Sequence, residues 1–222
     1  MSGFIVGVIS SLAASVVTVA SGWVFSQRIR NRLVVLLSSI TGLGVARTYP
    51  SQREANADLH RALEKARWVK VLVSRGNELT RDSFQDVWRA AGGRIESVQI
   101  LLPDPESGTD SWLGDREAEM RRLDPGMENG LLAEQIQANV RYLAARVGDN
   151  EAVQLRLYDL PHVCRVILTD KLAYLTLYGP DEHGRNSPCV VCRSPGLMYD
   201  FVSRIFTTAW SRADSLQGGF HA

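Results

Sequence analysis

The chain is poor in cysteine and has almost no excess of charge of either sign. Its 222 residues include three cysteines, and its 25 basic residues nearly balance its 24 acidic ones, which gives a formal net charge of +1. An odd, unpaired set of cysteines argues against the disulfide framework of a small secreted domain and favours a reducing compartment. The balanced charge gives no strong indication of nucleic-acid binding, because proteins that bind nucleic acids attract them through an excess of basic residues.

Charged residues are absent from the segment 3–25. A helix of this length spans roughly 34 Å, enough to cross the hydrocarbon core of a bilayer. No Lys or Arg precedes the apolar run, unlike in a cleaved signal peptide. Arg28, Arg30 and Arg32 follow it directly, and the positive-inside rule places them in the cytoplasm. Residues 1–30 are therefore predicted to form a single-pass anchor in the cell inner membrane, with the N-terminus outside and the remaining chain cytoplasmic.

Small residues recur at every fourth position of this segment. One such row consists of Gly3, Gly7, Ser11 and Ser15. Rows of small residues let helices approach closely in lipid, so the row predicts self-association through the membrane. The alternative is a moderately apolar anchor that is merely rich in small residues, because this spacing is common.

The sequence after the anchor divides into three parts. Residues 31–46 are apolar but interrupted by Gly42 and Gly44, which predicts a juxtamembrane helix and linker instead of a second membrane crossing. Residues 47–213 have the length and pattern of one soluble domain. Residues 214–222 are predicted to be a flexible tail.

Helical and strand patterns alternate in the soluble part. Ser51 and Glu54 form a capping-box signature for a helix over about 52–67. A buried strand at 68–73, an amphipathic helix at 80–91 and a strand at 97–102 follow. Helices are predicted near 113–122 and again up to about 143, then strands at 153–158, 164–169, 172–178 and 189–192, and a last helix after Gly196. The fold class is therefore α/β with a mixed sheet.

Four segments resemble the phospholipase D-like superfamily in a degenerate bacterial form: RTYPSQREA, LLPDP, RLYDLPHVCRVILTDKLAYLTLYG and FVSRIFTTAW. The resemblance covers about residues 47–213 and implies a mixed sheet with helices on both faces. Active members carry H-x-K-x4-D on a strand hairpin, where the histidine acts on phosphate, the lysine binds its charge and the aspartate closes the turn. Two such copies meet, often across a dimer.

The motif is incomplete in this chain. Arg165 and Asp170 have the spacing of its lysine and aspartate, but Val163 stands at the position of the histidine and His162 is one residue away. Because strand residues alternate between faces, His162 is expected to point away from the side of Arg165. No second copy of the motif occurs in the sequence. Catalysis by His162, Arg165 and Asp170 would therefore require a dimer with a rearranged hairpin.

A ligand site without catalysis is the other interpretation of the same hairpin. Arg165 could hold a phosphate bidentately, with Tyr174 and Tyr178 on the same face of the next strand. The structural alternative is a salt bridge between Arg165 and Asp170, with the tyrosines covering the sheet.

A zinc site is a further alternative near this hairpin. His162, Cys164, Cys189 and Cys192 are suitable donor types, and their order superficially resembles that of zinc deaminases. Cys164 stands where those enzymes need a glutamate, and cysteines three apart on an extended strand face opposite sides. We therefore expect neither a metal nor a cofactor.

Three functional hypotheses follow. The first is a non-enzymatic, membrane-anchored cytosolic module that self-associates and recognises a phosphate-containing or nucleotide ligand. By analogy alone, such a module would suit a membrane effector of a bacterial defence or stress system. The second is a membrane-bound phosphodiesterase or nuclease that acts as a dimer. The third is a structural dimerisation scaffold.

Overall fold

The computed structural model describes residues 2–80, 82–148, 150–161, 163–179 and 184–215. The helices are α1 (Ser2–Phe25), α2 (Gln27–Thr41), α3 (Gln52–Leu63), α4 (Asp82–Ala90), α5 (Trp112–Leu123), α6 (Leu131–Gly148) and α7 (Leu197–Arg212), with a 3₁₀ turn at Gly184–Asn186. The strands are β1 (Val45–Tyr49), β2 (Trp68–Leu72), β3 (Ser97–Pro103), β4 (Val153–Tyr158), β5 (Cys164–Thr169), β6 (Leu172–Leu177), β7 (Cys189–Arg193) and β8 (Asp214–Ser215).

Two helices precede the sheet. Helix α1 has 24 residues, and a single residue, Ser26, separates it from α2. Helix α2 ends at Gly42, whose φ of 71° lies in the left-handed region that favours glycine at this position. The part of the chain that the structure describes contains no helix long and apolar enough to cross a membrane.

Local capping residues fix where helices begin. The side chain of Ser51 accepts a hydrogen bond from the backbone N–H of Glu54, at 3.3 Å, at the predicted start of α3. Ser111 does the same for Gly114 at the start of α5, at 3.2 Å. Helix α3 ends at Leu63, earlier than the predicted 67, because the chain near Ala66 already turns towards β2. The carbonyl of Ala66 accepts a hydrogen bond from Arg94 Nη1 at 2.8 Å.

The sheet is mixed, as predicted. Its strand order is β1-β7-β6-β5-β2-β3-β4-β8. Strands β2, β3 and β4 are parallel to one another, whereas β5 pairs antiparallel with β2 and starts a run of antiparallel neighbours out to β1. The carboxyl end of β2 therefore lies at the same edge of the sheet as the start of β5 and the end of β6.

Apolar side chains cover both faces of the sheet. One cluster joins the sheet to α3, α4, α5 and α6 and includes Leu59, Phe84, Leu113 and Ile136. The second joins the opposite face to α7 and includes Phe206. The two clusters bury alternate residues of β5, with Ile167 in the first and Val166 and Leu168 in the second. The domain thus has helices on both faces of the sheet.

The sheet extends past both predicted limits of the domain. Strand β1 begins at Val45, whose N–H donates to the buried hydroxyl of Ser38 on α2. Within the segment 31–46, α2 runs to Thr41. At the other end, Asp214 and Ser215 pair with β4. The predicted flexible tail therefore begins with two residues of strand.

Candidate functional site

A pocket of about 570 Å³ opens where β2 ends and β5 begins. In open α/β sheets, ligands bind in the crevice outside the carboxyl ends of the strands. The segment after β2, the first turn of α3, helices α5 and α6, strand β5 and the 3₁₀ turn all contribute to its lining. The pocket lies on the face covered by α3, because Arg165 shares its side of β5 with Ile167.

Positive charge is concentrated in this pocket, here called the arginine pocket. Five arginines line it, whereas the described lining residues include one acidic side chain, Glu78. These arginines are Arg53, Arg75, Arg116, Arg165 and Arg185. The amino end of α3 adds the partial positive charge of its free backbone N–H groups. A chain of net charge +1 thus places a strongly cationic surface at one sheet edge.

Arg165 is the buried member of the arginine pocket, with a side chain only 5% exposed. Its Nη2 lies 2.5 Å from Oε2 of Glu78, which makes an ion pair by distance. The contact lacks hydrogen-bond geometry, since Nε and Nη2 of Arg165 have no hydrogen-bond partner among the described residues. Buried polar groups are costly when unpaired, and a guanidinium is best satisfied by two parallel hydrogen bonds to a carboxylate or phosphate.

Arg75 and Arg116 form a pair of like charges in the same pocket. Burial lowers the pKa of Arg75, and the positive charge of Arg116 lowers this pKa further. Nη2 of Arg75 lies against the sulfur of Met120, whereas Arg116 Nη1 donates to Glu119 at 2.8 Å. Because the two guanidinium groups repel each other, an anion between them would stabilise both.

Polar side chains hold the rim of the arginine pocket. Nε2 of Gln52 donates a hydrogen bond to Oε1 of Glu78. The hydroxyl groups of Tyr178 and Ser74 lie 3.3 Å apart. Burial raises the pKa of Tyr178, and the positive charge of Arg165 opposes that shift. Tyr178 therefore remains a neutral phenol that can donate to an anion.

The predicted site residues do not come together in one place. Arg165 and Tyr178 both line the arginine pocket. Tyr174 instead donates to Oδ2 of Asp58 at 3.1 Å. Asp170 lies in the β5–β6 hairpin, at the other end of β5 from Arg165, and accepts from the backbone N–H of Arg67 at 3.0 Å. His162 lies outside the described residues.

The salt bridge considered between Arg165 and Asp170 is not formed. The two residues stand at opposite ends of β5, and the ion partner of Arg165 is Glu78. Five residues of extended strand cover roughly 16 Å, too far for an ion pair. The hairpin motif thus predicts the position of Arg165 but not its partner.

Gly7, Ser11 and Ser15 of the small-residue row on α1 are exposed within a single chain. A Cβ atom added at Gly7 would meet nothing within 4 Å. The hydroxyl of Ser15 donates to the carbonyl of Ser11 in its own helix, at 2.9 Å. Packing through Gly3, Gly7, Ser11 and Ser15 against a second copy stays a prediction.

The cysteines are separate buried thiols in this structure. Cys189 and Cys192 are buried, Cys164 is half-buried, and burial raises the pKa of all three thiols, to about 11 for Cys192. Among the described residues, no group of three His, Cys, Asp or Glu side chains could hold a metal ion. The described residues therefore offer no candidate metal centre.

Sequence reasoning missed most of the arginine pocket. Arg75 and Glu78 belong to the segment SRGNELT, which directly follows the buried strand β2. A polar, glycine-containing segment after a buried strand of an α/β sheet is a recognisable signal for a ligand-binding edge. Arg116 and Arg185 carry no such local signal, because only the fold brings them to β2.

Comparisons with known proteins match the chain to solved structures at low sequence identity. No protein-family model and no curated protein matches the chain. Nuc of Salmonella typhimurium, a phospholipase D family member, has 14% identity over 74% of this chain and 91% of its own, with a TM-score of 0.44. Phosphatidylserine synthase of Haemophilus influenzae Rd KW20 has 11% identity over 73% of this chain and 37% of its own, with a TM-score of 0.49. The archaeal chromatin protein TrmBL2, whose structure shows a mode of DNA binding, has 14% identity over 94% of this chain and 68% of its own, with a TM-score of 0.45.

Proposed function

We propose that the protein is a membrane-anchored, phospholipase D-like recognition module that binds a phosphate-bearing ligand in the arginine pocket. The observation that supports this most directly is Arg165, a buried guanidinium with two nitrogen atoms that have no hydrogen-bond partner in the part of the chain that the structure describes. Four further arginines line the same pocket. A phosphate group supplies the negative charge and the paired acceptor oxygens that such a guanidinium requires.

Each lining residue has a role in this proposal. Arg165 donates to the phosphate from Nε and Nη2, and its burial fixes the direction of the two bonds. Arg75 and Arg116 provide the surrounding positive charge, and the Tyr178 hydroxyl is a further donor. None of these roles requires turnover, so the leading proposal is binding without reaction. The phosphodiesterase alternative differs in requiring His162 as a nucleophile.

Binding to Arg165 is tested by titrating the full-length protein in detergent with inorganic phosphate, pyrophosphate and nucleotides in a calorimeter. Substitution Arg165→Met is expected to weaken binding roughly 10- to 100-fold, because charge-assisted hydrogen bonds are lost. The matched control is Arg204→Met, which removes an exposed arginine of α7 on the other face of the sheet. Equal affinities for the wild type and the Arg165→Met protein would contradict the proposal.

The same samples distinguish the other two functions. Phosphorus NMR after each titration shows whether the ligand is intact. A product that forms with the wild type, and not with the Arg165→Met protein, would support the phosphodiesterase. The absence of binding to every phosphate compound would support the dimerisation scaffold.

Helix α1 is proposed as the membrane anchor, with the domain on the cytoplasmic side. Its sequence contains no charged residue over 24 positions, and Arg28, Arg30 and Arg32 follow it. Its described apolar side chains Val16, Val17 and Val19 are exposed in the single chain.

Alkaline carbonate extraction tests the anchor. The wild-type protein should stay in the membrane pellet, and the Val16→Arg protein should move to the supernatant. A wild type found in the supernatant would contradict the anchor.

A further inference from the structure

Arg165 already has an anion beside it. The carboxylate of Glu78 lies 2.5 Å from Nη2 of Arg165, and it is the one acidic side chain among the described lining residues of the arginine pocket. It therefore occupies the place where the oxygen of a phosphate bound to Arg165 would lie. Both anions cannot sit on the same guanidinium edge without strong mutual repulsion.

The two members of this ion pair differ in their freedom to move. The side chain of Arg165 is 5% exposed and comes from the strand β5, whereas that of Glu78 is 39% exposed and comes from the loop after β2. Returning the Glu78 carboxylate to water costs little, because it is already partly hydrated. Arg165 has no comparable route to solvent. An incoming anion would thus displace Glu78 and leave Arg165 in place.

The contact is also incomplete. Nε and Nη2 of Arg165 have no hydrogen-bond partner among the described residues, although Glu78 is adjacent. Glu78 is also bound by Gln52, which donates to its other carboxylate oxygen. A phosphate that approaches the guanidinium edge directly can accept from both nitrogens, so it makes better bonds than Glu78 does.

We propose that Glu78 is a built-in competitor for the ligand: its carboxylate occupies the anion position on Arg165 and leaves when a phosphate binds. This inference rests on the proposed phosphate-binding function and adds the residue that limits its affinity. In the empty protein, Glu78 partly neutralises Arg165. In the complex, Glu78 turns towards solvent, and the ligand takes over as counter-ion.

The decisive variant is Glu78→Gln. Glutamine has nearly the same shape, and its one carbonyl oxygen can accept from either Gln52 or Arg165, so the negative charge is removed with little change in volume. The full-length protein in detergent is titrated with pyrophosphate in a calorimeter, beside the wild type. The dissociation constant of the variant should fall about tenfold or more, because one negative charge no longer competes for, or repels, the ligand.

The matched control is Glu151→Gln, which removes an exposed carboxylate near the amino end of β4, at the opposite edge of the sheet. Its dissociation constant should stay within about twofold of that of the wild type.

A second measurement is the melting temperature of Glu78→Gln with and without pyrophosphate. Without ligand, Glu78→Gln should melt below the wild type, because Arg165 has lost its counter-ion, and saturating pyrophosphate should raise its melting temperature by more.

The outcomes separate this inference from the proposed function. Tighter binding of pyrophosphate by Glu78→Gln, abolished again in the double variant with Arg165→Met, supports the competitor. Binding by the wild type that depends on Arg165, but is unchanged or weakened by Glu78→Gln, overturns the competitor and leaves the phosphate site standing. If Arg165→Met leaves the affinity for pyrophosphate unchanged, or if neither the wild type nor the variants bind pyrophosphate, both the proposed function and the role of Glu78 as a competitor are refuted.

Discussion

Among the described residues on the α3 side of the sheet, two buried charged side chains, Asp58 and Arg165, take part in arginine–carboxylate pairing, and only one of the two is fully paired. In the first, Asp58 of α3 is the buried member, with a side chain 8% exposed. Its carboxylate accepts hydrogen bonds from Arg47 and from the Tyr174 hydroxyl, and Nη2 of Arg61 lies 3.6 Å away. The arginines of this pair reach solvent, so the buried charge is anionic and fully surrounded by donors.

The pair in the arginine pocket has the opposite arrangement. Here the buried member is the cation, Arg165, and the carboxylate of Glu78 is the one that reaches solvent. Two nitrogen atoms of Arg165 lack hydrogen-bond partners among the described residues. A buried charge that its own chain satisfies acts as a structural link, whereas one left partly unsatisfied requires another explanation, and the proposed phosphate supplies one for Arg165.

The largest effect expected from this comparison is on stability, at Asp58. Substitution Asp58→Ala should lower the free energy of unfolding by about 2–3 kcal/mol, because it removes charge-assisted bonds and leaves the buried hydroxyl of Tyr174 unpaired. Chemical denaturation followed by circular dichroism measures the change. Phosphate binding in the arginine pocket should be unaffected.

The control for this change is Asp86→Ala on α4. Asp86 and Arg89 form an exposed i,i+3 ion pair at 2.9 Å, and such surface pairs contribute little. Its loss should change the free energy of unfolding by less than about 0.5 kcal/mol. If Asp58→Ala is no more destabilising than this control, the contacts of Asp58 do not hold the fold together as a structural link.

The two pairs also show how far the sequence could lead. Alternating apolar residues and the helix cap at Ser51 predicted the α/β succession of helices and strands, since these are local patterns. The incomplete hairpin motif predicted Arg165 as a site residue. The partners of Arg165 and Tyr174 could not be predicted in the same way, because Glu78 and Asp58 come from segments more than 80 residues earlier in the chain. A salt bridge to Asp170 was the local alternative, and it was wrong because strand β5 separates the two residues.

A smaller effect, with a clear pH dependence, is expected at Tyr174. Burial raises the pKa of Tyr174 above its ordinary value of 10.0, and the nearby carboxylate of Asp58 raises it further. The folded protein thus favours the neutral phenol, so this contribution to stability is complete at neutral pH and is lost as the pH rises above about 10. Tyr174→Phe should cost about 1 kcal/mol at pH 7, where the hydrogen bond to Asp58 is lost.

Alkaline denaturation of Tyr174→Phe gives the second half of this test. Above pH 10 its melting temperature should decline less steeply than that of the wild type, because phenylalanine has no proton to lose. Equal slopes for the two proteins would show that Asp58 and Tyr174 are not coupled. The hydrogen bond between them would then be only a packing contact.

The smallest change in stability is expected at Arg165, and its sign sharpens the contrast with Asp58. Arg165→Met keeps a long apolar stem in the sheet and removes a buried charge that is incompletely paired. Glu78 loses its partner but already reaches solvent. Replacing an imperfect buried ion pair by apolar atoms is often neutral or stabilising, so the free energy of unfolding without ligand should stay constant or rise by about 1 kcal/mol. Denaturant titration in phosphate-free buffer measures this free energy of unfolding, with Arg204→Met as the exposed control.

If Arg165→Met lowers the free energy of unfolding as much as Asp58→Ala does, then Arg165 stabilises the fold. The contrast between the two buried charges would then disappear.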